Sequence, residues 1–244
     1  MEVGKNKATA ETRASRIGWP ARSHLEGCVA AALERTALHS ALPERQRSSN
    51  LPTIANRESS RNGDSNPYMK SNGFPAMIHV CSLARLEETV EQTGARHVVS
   101  LIGDEARVAR PSCIAPKNHL WLRLHDISVP LDGCIVPAEE HITDLFSFVR
   151  EWDRRAPLVV HCYMGISRST ASAYATVCAL NPRRDEASIA QALRRASPTA
   201  TPNARIVSLA DQLLGREGRM IAAIEDIGRG DLTAEALPFR LDLE

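Results

Sequence analysis

Apolar residues fall into short runs from residue 77 onward, and the runs alternate between strand-like and helix-like spacing. Four continuous apolar runs predict buried strands at residues 78–81, 97–102, 119–124 and 157–161. Helical spacing predicts segments at residues 83–93, 137–152, 169–180, 185–196, 203–214 and 219–227. Strands that alternate with helices, followed by a mainly helical C-terminal half, predict an α/β fold. We therefore expect a small, mostly parallel central sheet that is flanked by helices.

The first 73 residues have a different composition. Residues 45–73 contain 6 Ser, 5 Asn and 4 Arg among 29 residues, with only five apolar ones, which is too little apolar surface to offset chain entropy. We therefore predict a disordered tail at residues 1–73 and a folded domain at residues 74–244. A pattern at residues 24–42 predicts a short helix, either transient or docking to a partner. Met69 and Met77 both precede the first strand, so each is a candidate for the native start.

Composition and charge exclude several classes of protein. With 24% charged and 43% apolar residues, the chain is neither wholly disordered nor fibrous. No run approaches the ~18 apolar residues of a membrane helix, and the N-terminus lacks the apolar segment of a secretory signal peptide. We therefore expect a cytoplasmic protein that does not insert into membranes. The sequence leaves its oligomeric state open.

The net charge, the cysteines and the histidines indicate neither a nucleic-acid partner nor a metal site. Residues 1–73 carry 11 Lys and Arg against 7 Asp and Glu, and residues 74–244 carry 19 against 22, so neither part predicts a nucleic-acid partner. Six cysteines without a CxxC pair predict free thiols. Eight histidines show no ligand spacing, so no metal site is expected.

The most informative stretch runs from His161 to Ser169, between the fourth strand and the next helix. Its kernel is Cys162, five residues and Arg168, but 6 Cys and 26 Arg predict about 0.64 such pairs by chance. A second pair, Cys178 and Arg184, interrupts the end of a helix and is attributed to chance. The first pair differs because His161 precedes it, a glycine stands at the third loop position, and a strand–loop–helix surrounds it.

The spacing of this loop suits a phosphate dianion. A short loop at a helix N-terminus can turn successive backbone N–H groups inward, and Gly165 permits the backbone geometry this needs. Arg168 can bind two phosphate oxygens with its planar guanidinium. The remaining loop residues contribute mainly their amides to substrate binding: Tyr163, Met164, Ile166 and Ser167.

The same positive field acts on the cysteine. A free thiol titrates near ~8.5, and loop amides at a helix N-terminus favour its thiolate form, so we expect Cys162 to be a nucleophile. Ser169 can hydrogen-bond its sulfur and help it leave at the end of the reaction. We expect His161 to orient the loop through hydrogen bonds without touching substrate.

These residues resemble the active-site loop of the cysteine-based protein tyrosine phosphatases. The ending Gly-x-Ser-Arg-Ser is most similar to that of the dual-specificity branch and its bacterial relatives, and the resemblance covers about residues 77–230. The resemblance implies a dual-specificity phosphatase-like fold, a nucleophilic Cys162 and a phosphate-binding Arg168. It also implies an aspartic acid on a preceding loop as general acid, and neither a metal nor an organic cofactor.

Two aspartates are candidates for that acid. Asp126 follows the third predicted strand directly, 36 residues before Cys162, and a strand end would hold it rigidly. Asp132 is the second candidate, in a more turn-like setting; Asp126 is preferred, although it could instead cap a strand end. Asn203 follows Pro202 at the start of a late helix, and members of the dual-specificity branch use a similar asparagine to brace the phosphate loop. Its alternative role is a plain N-cap.

The resemblance predicts hydrolysis of phosphotyrosine, or of both phosphotyrosine and phosphoserine or phosphothreonine, in a phosphorylated protein or peptide. Two alternatives remain open. One is a phosphatase of a phosphoinositide, nucleotide or RNA 5′-end, although the loop lacks the lysines that often accompany phosphoinositides. The other is an inactive phosphopeptide-binding module. Cys81, at the end of the first strand, is either a buried inert thiol or a partner for Cys162 under oxidation.

Overall fold

One sheet of five strands, in the order β3-β2-β4-β1-β5, lies at the centre of the computed structural model, which describes residues 77–243. The strands are β1 (Met77–Ser82), β2 (His97–Leu101), β3 (His119–Leu122), β4 (Leu158–Cys162) and β5 (Phe239–Asp242). β1 to β4 run parallel, and β5 pairs antiparallel with β1. The carboxyl ends of four parallel strands therefore meet along one edge of the sheet, where open α/β proteins commonly bind ligands.

Six α-helices within residues 77–243 cover the sheet on both faces. They are α1 (Leu86–Thr93), α2 (Glu139–Glu151), α3 (Arg168–Leu180), α4 (Glu186–Ala196), α5 (Ala204–Leu213) and α6 (Arg219–Ile227). α1 packs with a small apolar cluster on one face, and the other five helices contribute to the main core on the opposite face. Among residues 77–243, no helix combines the length and the apolar character that crossing a bilayer requires.

The structure confirms the predicted α/β architecture. Each predicted strand and helix is present, with ends that agree within two residues at all but one site. The exception is the helix predicted from residue 83, which begins as a 3-10 turn, Leu83–Arg85, before α1 starts at Leu86. The tail at residues 1–73, the helix at 24–42 and Met69 lie outside the described residues, so those predictions and the domain boundary remain untested.

One element was missed. The C-terminal segment is not wholly helical, because β5 adds an edge strand in which Phe239 and Leu241 are buried while Arg240 and Asp242 face outward. This alternation is the pattern of a half-buried strand. Four residues contain too few repeats of it to be distinguished from irregular chain by sequence alone.

Candidate active site

The stretch from His161 to Ser169 lies at the carboxyl end of β4, at the ligand-binding edge of the sheet. β4 ends at Cys162 and α3 begins at Arg168, so residues 163–167 form the connection between them. We call residues 162–168 the Cys162 loop. β4 lies between β1 and β2 and is buried along its whole length. The cysteine is thus anchored at the centre of the sheet rather than on a mobile surface segment.

Gly165 is required by the path of this loop. Its φ angle is +74°, in the left-handed region that favours glycine. A Cβ atom there would also come within 2.9 Å of the backbone carbon of Cys81 and the backbone nitrogen of Ser82. The loop therefore packs directly on the end of β1, and a side chain at residue 165 would push it away.

The carbonyl groups of the loop accept hydrogen bonds from the segments around it. Four of them have external donors, at 3.0–3.3 Å: Leu83 N to Tyr163 O, Ala236 N to Met164 O, Thr201 N to Ile166 O, and Asn203 N to Ser167 O. Within residues 77–243, no acceptor takes a hydrogen bond from the amides of residues 163–167. Outward carbonyls and unpaired amides are the arrangement of an anion-binding nest at a helix N-terminus.

Cys162 and Arg168 stand at the two ends of this nest. Cys162 is 2% exposed, and its Sγ lies 3.1 Å from the Oγ of Ser169, as the proposed hydrogen bond requires. Arg168 donates from Nη1 to a carboxylate oxygen of Glu105 at 2.5 Å and to the carbonyl of Leu124 at 2.9 Å. Its Nε is buried and has no hydrogen-bond partner in the described part of the chain. The Nε–H of the guanidinium thus remains an unsatisfied donor among the described residues.

Asp126 lies against the same loop. Its Oδ1 accepts hydrogen bonds from Ser167 Oγ at 2.7 Å and from Asn203 Nδ2 at 2.8 Å, and its Oδ2 is 4.0 Å from Arg168 Nε. Asp132, the second candidate, is exposed in the segment that follows, and no hydrogen bond or ion pair joins its carboxylate to the described residues. The geometry therefore favours Asp126 of the two candidates for the acid.

Asn203 caps a helix, and it contacts the Cys162 loop through its backbone N–H rather than through its side chain. Its Oδ1 accepts hydrogen bonds from the amides of Arg205 and Ile206, both at 3.1 Å, so it is the N-cap of α5. Such a cap typically contributes about 1 kcal/mol of stability. Its Nδ2 donates a hydrogen bond to Asp126, and its backbone N–H donates one to the carbonyl of Ser167. One residue thus ties α5, the candidate acid and the Cys162 loop together.

His161 is fully buried beneath the loop. Its Nε2 lies 2.6 Å from the Oγ of Ser100 on β2, and this hydroxyl also lies 2.8 Å from Nε2 of His119 on β3. Burial lowers the pKa of His161 to about 4, so the ring is neutral near pH 7. The contacts link three neighbouring strands and fit an orienting role without contact to substrate.

Sequence reasoning missed Glu105. This residue follows β2 by four positions and reaches Arg168, which is 63 positions later in the chain. Gly103 makes room for the contact, since a Cβ there would lie 2.5 Å from a carboxylate oxygen of Glu105. The available signal was the run Gly103-Asp104-Glu105 at the carboxyl end of β2, which neighbours β4.

Asp104, Glu105 and His125 are close enough to suggest metal ligands. His125 Nε2 lies 2.7 Å from a carboxylate oxygen of Asp104 and 3.6 Å from one of Glu105. However, Glu105 already binds the buried cation Arg168, and a metal ion beside it would face that positive charge. These residues fit a hydrogen-bonded flank of the loop better than they fit a metal centre.

The C-terminal segment was the second omission. We call residues 228–238, between α6 and β5, the C-terminal strap. Besides the bond from Ala236 N to the loop, Glu235 accepts a hydrogen bond from the hydroxyl of Ser82 at 2.5 Å. Ser82 is fully buried and pairs in register with Cys162. The strap therefore supports the loop on the side of Tyr163 and Met164.

Cys81 faces away from the nucleophile candidate. It belongs to the small cluster under α1 with Leu86 and Val90, whereas Cys162 belongs to the main core on the opposite face. Burial raises the pKa of Cys81 to about 12. This environment favours the buried inert thiol among the two roles considered for it.

The chain matches no protein-family model and no curated protein sequence. Its structure is similar to solved phosphatase structures. PTP-2 phosphatase of Cydia pomonella is 19% identical, with 55% of this chain and 84% of that chain covered and a TM-score of 0.45. DUSP15 is 16% identical, with 64% and 92% covered and a TM-score of 0.45. The human tyrosine phosphatase-like serine/threonine/tyrosine-interacting protein is 16% identical, with 57% and 92% covered and a TM-score of 0.46.

The candidate site lies at the edge of a parallel sheet and contains a nest of unpaired amides. A buried cysteine and a buried arginine stand at the two ends of this nest. The described part of the chain is similar in fold to these solved phosphatases.

Proposed function

We propose that the chain is a phosphomonoester hydrolase that works through a cysteinyl-phosphate intermediate. The observation that carries this proposal is the loop of unpaired amides, closed by Arg168, whose Nε makes no hydrogen bond to the described residues, with Cys162 Sγ at its base. Each of these groups favours an anion with several oxygens around a central atom. A phosphate bound in the nest would lie directly over the sulfur.

The first step is attack of the Cys162 thiolate on phosphorus. The S–P bond forms while the bond between phosphorus and the leaving oxygen breaks, and Arg168 with the loop amides stabilises the charge on the equatorial oxygens. Asp126, held over the loop by Ser167 and Asn203, protonates the leaving oxygen. Such a proton transfer is worth typically 10²–10⁴-fold in rate.

The second step hydrolyses the intermediate. A water attacks phosphorus, Asp126 accepts its proton, and the S–P bond breaks to release inorganic phosphate. The hydroxyl of Ser169, 3.1 Å from Cys162 Sγ, stabilises the departing thiolate by hydrogen bonding. Both steps need only groups of this chain and water.

We further propose a phosphorylated protein or peptide as substrate, with phosphotyrosine hydrolysed and phosphoserine or phosphothreonine as possible further substrates. The one arginine of the loop is assigned to the first phosphate, and the loop has no lysine to neutralise a second one, which disfavours polyphosphorylated ligands. A cytoplasmic location is part of the proposal, because a nucleophilic thiol needs a reducing compartment.

Hydrolysis of p-nitrophenyl phosphate and of a phosphotyrosine peptide tests the proposal, with full-length protein and a chelator present. We expect metal-independent turnover that Cys162→Ser abolishes. If folded protein turns over neither compound while it still binds phosphate, the site is a phosphate-binding module and the proposal is wrong.

A further inference from the structure

Exposed large apolar side chains are concentrated on two segments beside the Cys162 loop. Residues 77–243 contain six such side chains, and five of them lie on these segments: Val129, Leu131, Ile135, Leu232 and Leu237. The sixth, Leu213, lies at the far end of α5. Single exposed apolar residues are ordinary, but their concentration beside a candidate active site marks an interaction surface.

The first segment, residues 127–137, follows Asp126; we call it the acid loop. Ile135 is fixed beside the site, because its backbone N–H donates to His125 Nδ1 at 2.9 Å and its carbonyl accepts from His125 N at 2.8 Å. Asp126 itself binds Ser167. The acid loop, which carries Val129 at 70% exposure, therefore borders the end of the Cys162 loop that leads into α3.

The second segment is the C-terminal strap. Ala236 donates to the carbonyl of Met164, and its neighbour Leu237 is 78% exposed. Leu232, 88% exposed, follows Asp231, whose N–H binds the carbonyl of Pro198. The strap thus borders the other end of the Cys162 loop, the end that leaves β4. The nest lies between two apolar edges.

Carboxylates accompany these edges. Asp104 has a side chain that is 82% exposed, and Glu235 lies on the strap, where it accepts from Ser82. Lys117 is the one lysine in residues 77–243, and it precedes β3 at the opposite end of the sheet. The two segments carry one arginine, Arg229, against three carboxylates, Asp132, Asp231 and Glu235. Two arginines nearby have partners, since Arg85 pairs with Glu88 and Arg205 donates to the carbonyl of Pro137. An anionic lipid surface would meet acidic groups here, whereas a basic peptide would be attracted.

We propose that the acid loop and the C-terminal strap recognise an extended segment of a phosphoprotein. The residues beside its phosphorylated side chain are apolar and pack on Val129 and Leu237, and Lys or Arg residues farther along it meet the carboxylates. This inference rests on the proposed function, because the phosphate occupies the Cys162 loop. It assigns substrate choice to side chains that do not take part in the chemistry.

Two phosphotyrosine peptides test the inference with full-length protein. Both carry two lysines, and the residues flanking phosphotyrosine are Leu and Val in one and Ser and Gly in the other. We expect wild type to favour the apolar peptide about tenfold in kcat/KM, which corresponds to partial burial of one or two apolar side chains. Val129→Ser and Leu237→Ser should each reduce this ratio about threefold. Leu213→Ser, a matched exposed apolar control, should leave the ratio unchanged.

A binding readout separates this inference from the proposed function. The same peptides, with a non-hydrolysable difluoromethylphosphonate in place of phosphate, are titrated into wild type, and fluorescence anisotropy gives the ratio of dissociation constants. A tenfold ratio supports the recognition surface even if p-nitrophenyl phosphate is not hydrolysed. Equal affinities in wild type overturn the inference. So does faster hydrolysis of phosphatidic acid in anionic vesicles than of either peptide, with Leu237→Ser removing that advantage, which would indicate a lipid surface.

Discussion

Cysteine and arginine stand six positions apart at two places in this chain, and the surroundings of the two pairs differ completely. Cys162 ends a buried central strand, and Arg168 begins α3 after a loop whose amides are unpaired. Cys178 lies inside α3, where helical hydrogen bonds already occupy the amides. Arg184 lies beyond that helix and donates to the carbonyls of Asp242 and Leu243, at 3.4 and 3.2 Å.

The difference indicates that unsatisfied donors, rather than spacing, distinguish the proposed phosphate site from the second pair. Burial raises the pKa of Cys178 to about 12. No nest of amides faces its sulfur. The donors of Arg184 hold the end of the chain near β5, so this arginine has a structural role. Cys162 and Arg168, in contrast, bracket a set of donors that a ligand can satisfy.

The largest contrast is expected on removing the two thiols. Cys162→Ser should lower kcat/KM for p-nitrophenyl phosphate about 10⁴-fold or more, since no covalent intermediate can form efficiently. Cys178→Ala should keep wild-type activity per folded molecule. Steady-state assays normalised by the folded fraction from circular dichroism measure both. Comparable loss in the two variants would refute the assignment of the nucleophile.

The arginines should differ almost as strongly. Arg168→Lys keeps the charge but loses the planar fork, and we expect about a 10³-fold loss in kcat/KM. Arg184→Lys retains a donor for the C-terminal carbonyls and should change activity less than twofold. Isothermal titration with inorganic phosphate provides a second readout. Undiminished phosphate affinity in Arg168→Lys would contradict its assigned role.

Replacing Asp126 and replacing Asp132 should have different effects on proton transfer to the leaving oxygen. Asp126→Asn should lower kcat about 10²-fold because the leaving oxygen loses its acid, while Asp132→Asn should be close to wild type. The loss should be larger for phenyl phosphate than for p-nitrophenyl phosphate, since p-nitrophenolate leaves readily without a proton. An equal loss on both substrates would indicate that Asp126 only supports the loop.

Glu105 should have a smaller effect, through the orientation of Arg168. Glu105→Ala should lower kcat/KM about tenfold, mainly by raising KM, and Glu105→Gln should restore part of it because its amide oxygen can still accept from Nη1. Asp104→Asn, which changes the neighbouring exposed carboxylate, serves as the control. If Glu105→Gln and Glu105→Ala behave alike, the carboxylate charge matters rather than the hydrogen bond.

The smallest expected effect is a difference in the reactivity of the cysteine thiols, measured on the wild-type protein. At pH 8 iodoacetamide should modify Cys162, and inorganic phosphate should slow that reaction. Cys178 should stay unmodified in folded protein because its raised pKa keeps it protonated. Exposed Cys113 should react with no protection by phosphate. Peptide mass spectrometry measures all three, and phosphate protection of Cys113 as well as Cys162 would remove the basis for a specific site.

Features encoded by neighbouring residues could be predicted from sequence. The Cys162 loop is one continuous stretch, and Asp126 follows a strand whose parallel neighbours fix its location at the same sheet edge. Glu105 and Glu235 could not be found this way, because their contacts join residues 63 and 153 positions apart. Such pairs depend on how loops fold over the sheet edge, which no local pattern specifies. β5 was missed for a different reason, namely its length of four residues.

The most direct test of the central claim is to look for phosphate on Cys162 during turnover. Full-length protein is mixed with p-nitrophenyl phosphate, quenched with acid within milliseconds, and digested for mass spectrometry. The account predicts a phosphorylated peptide containing Cys162, which Cys162→Ser lacks and which accumulates when Asp126→Asn slows hydrolysis of the intermediate. Turnover without that species, or with phosphate on another residue, would contradict it.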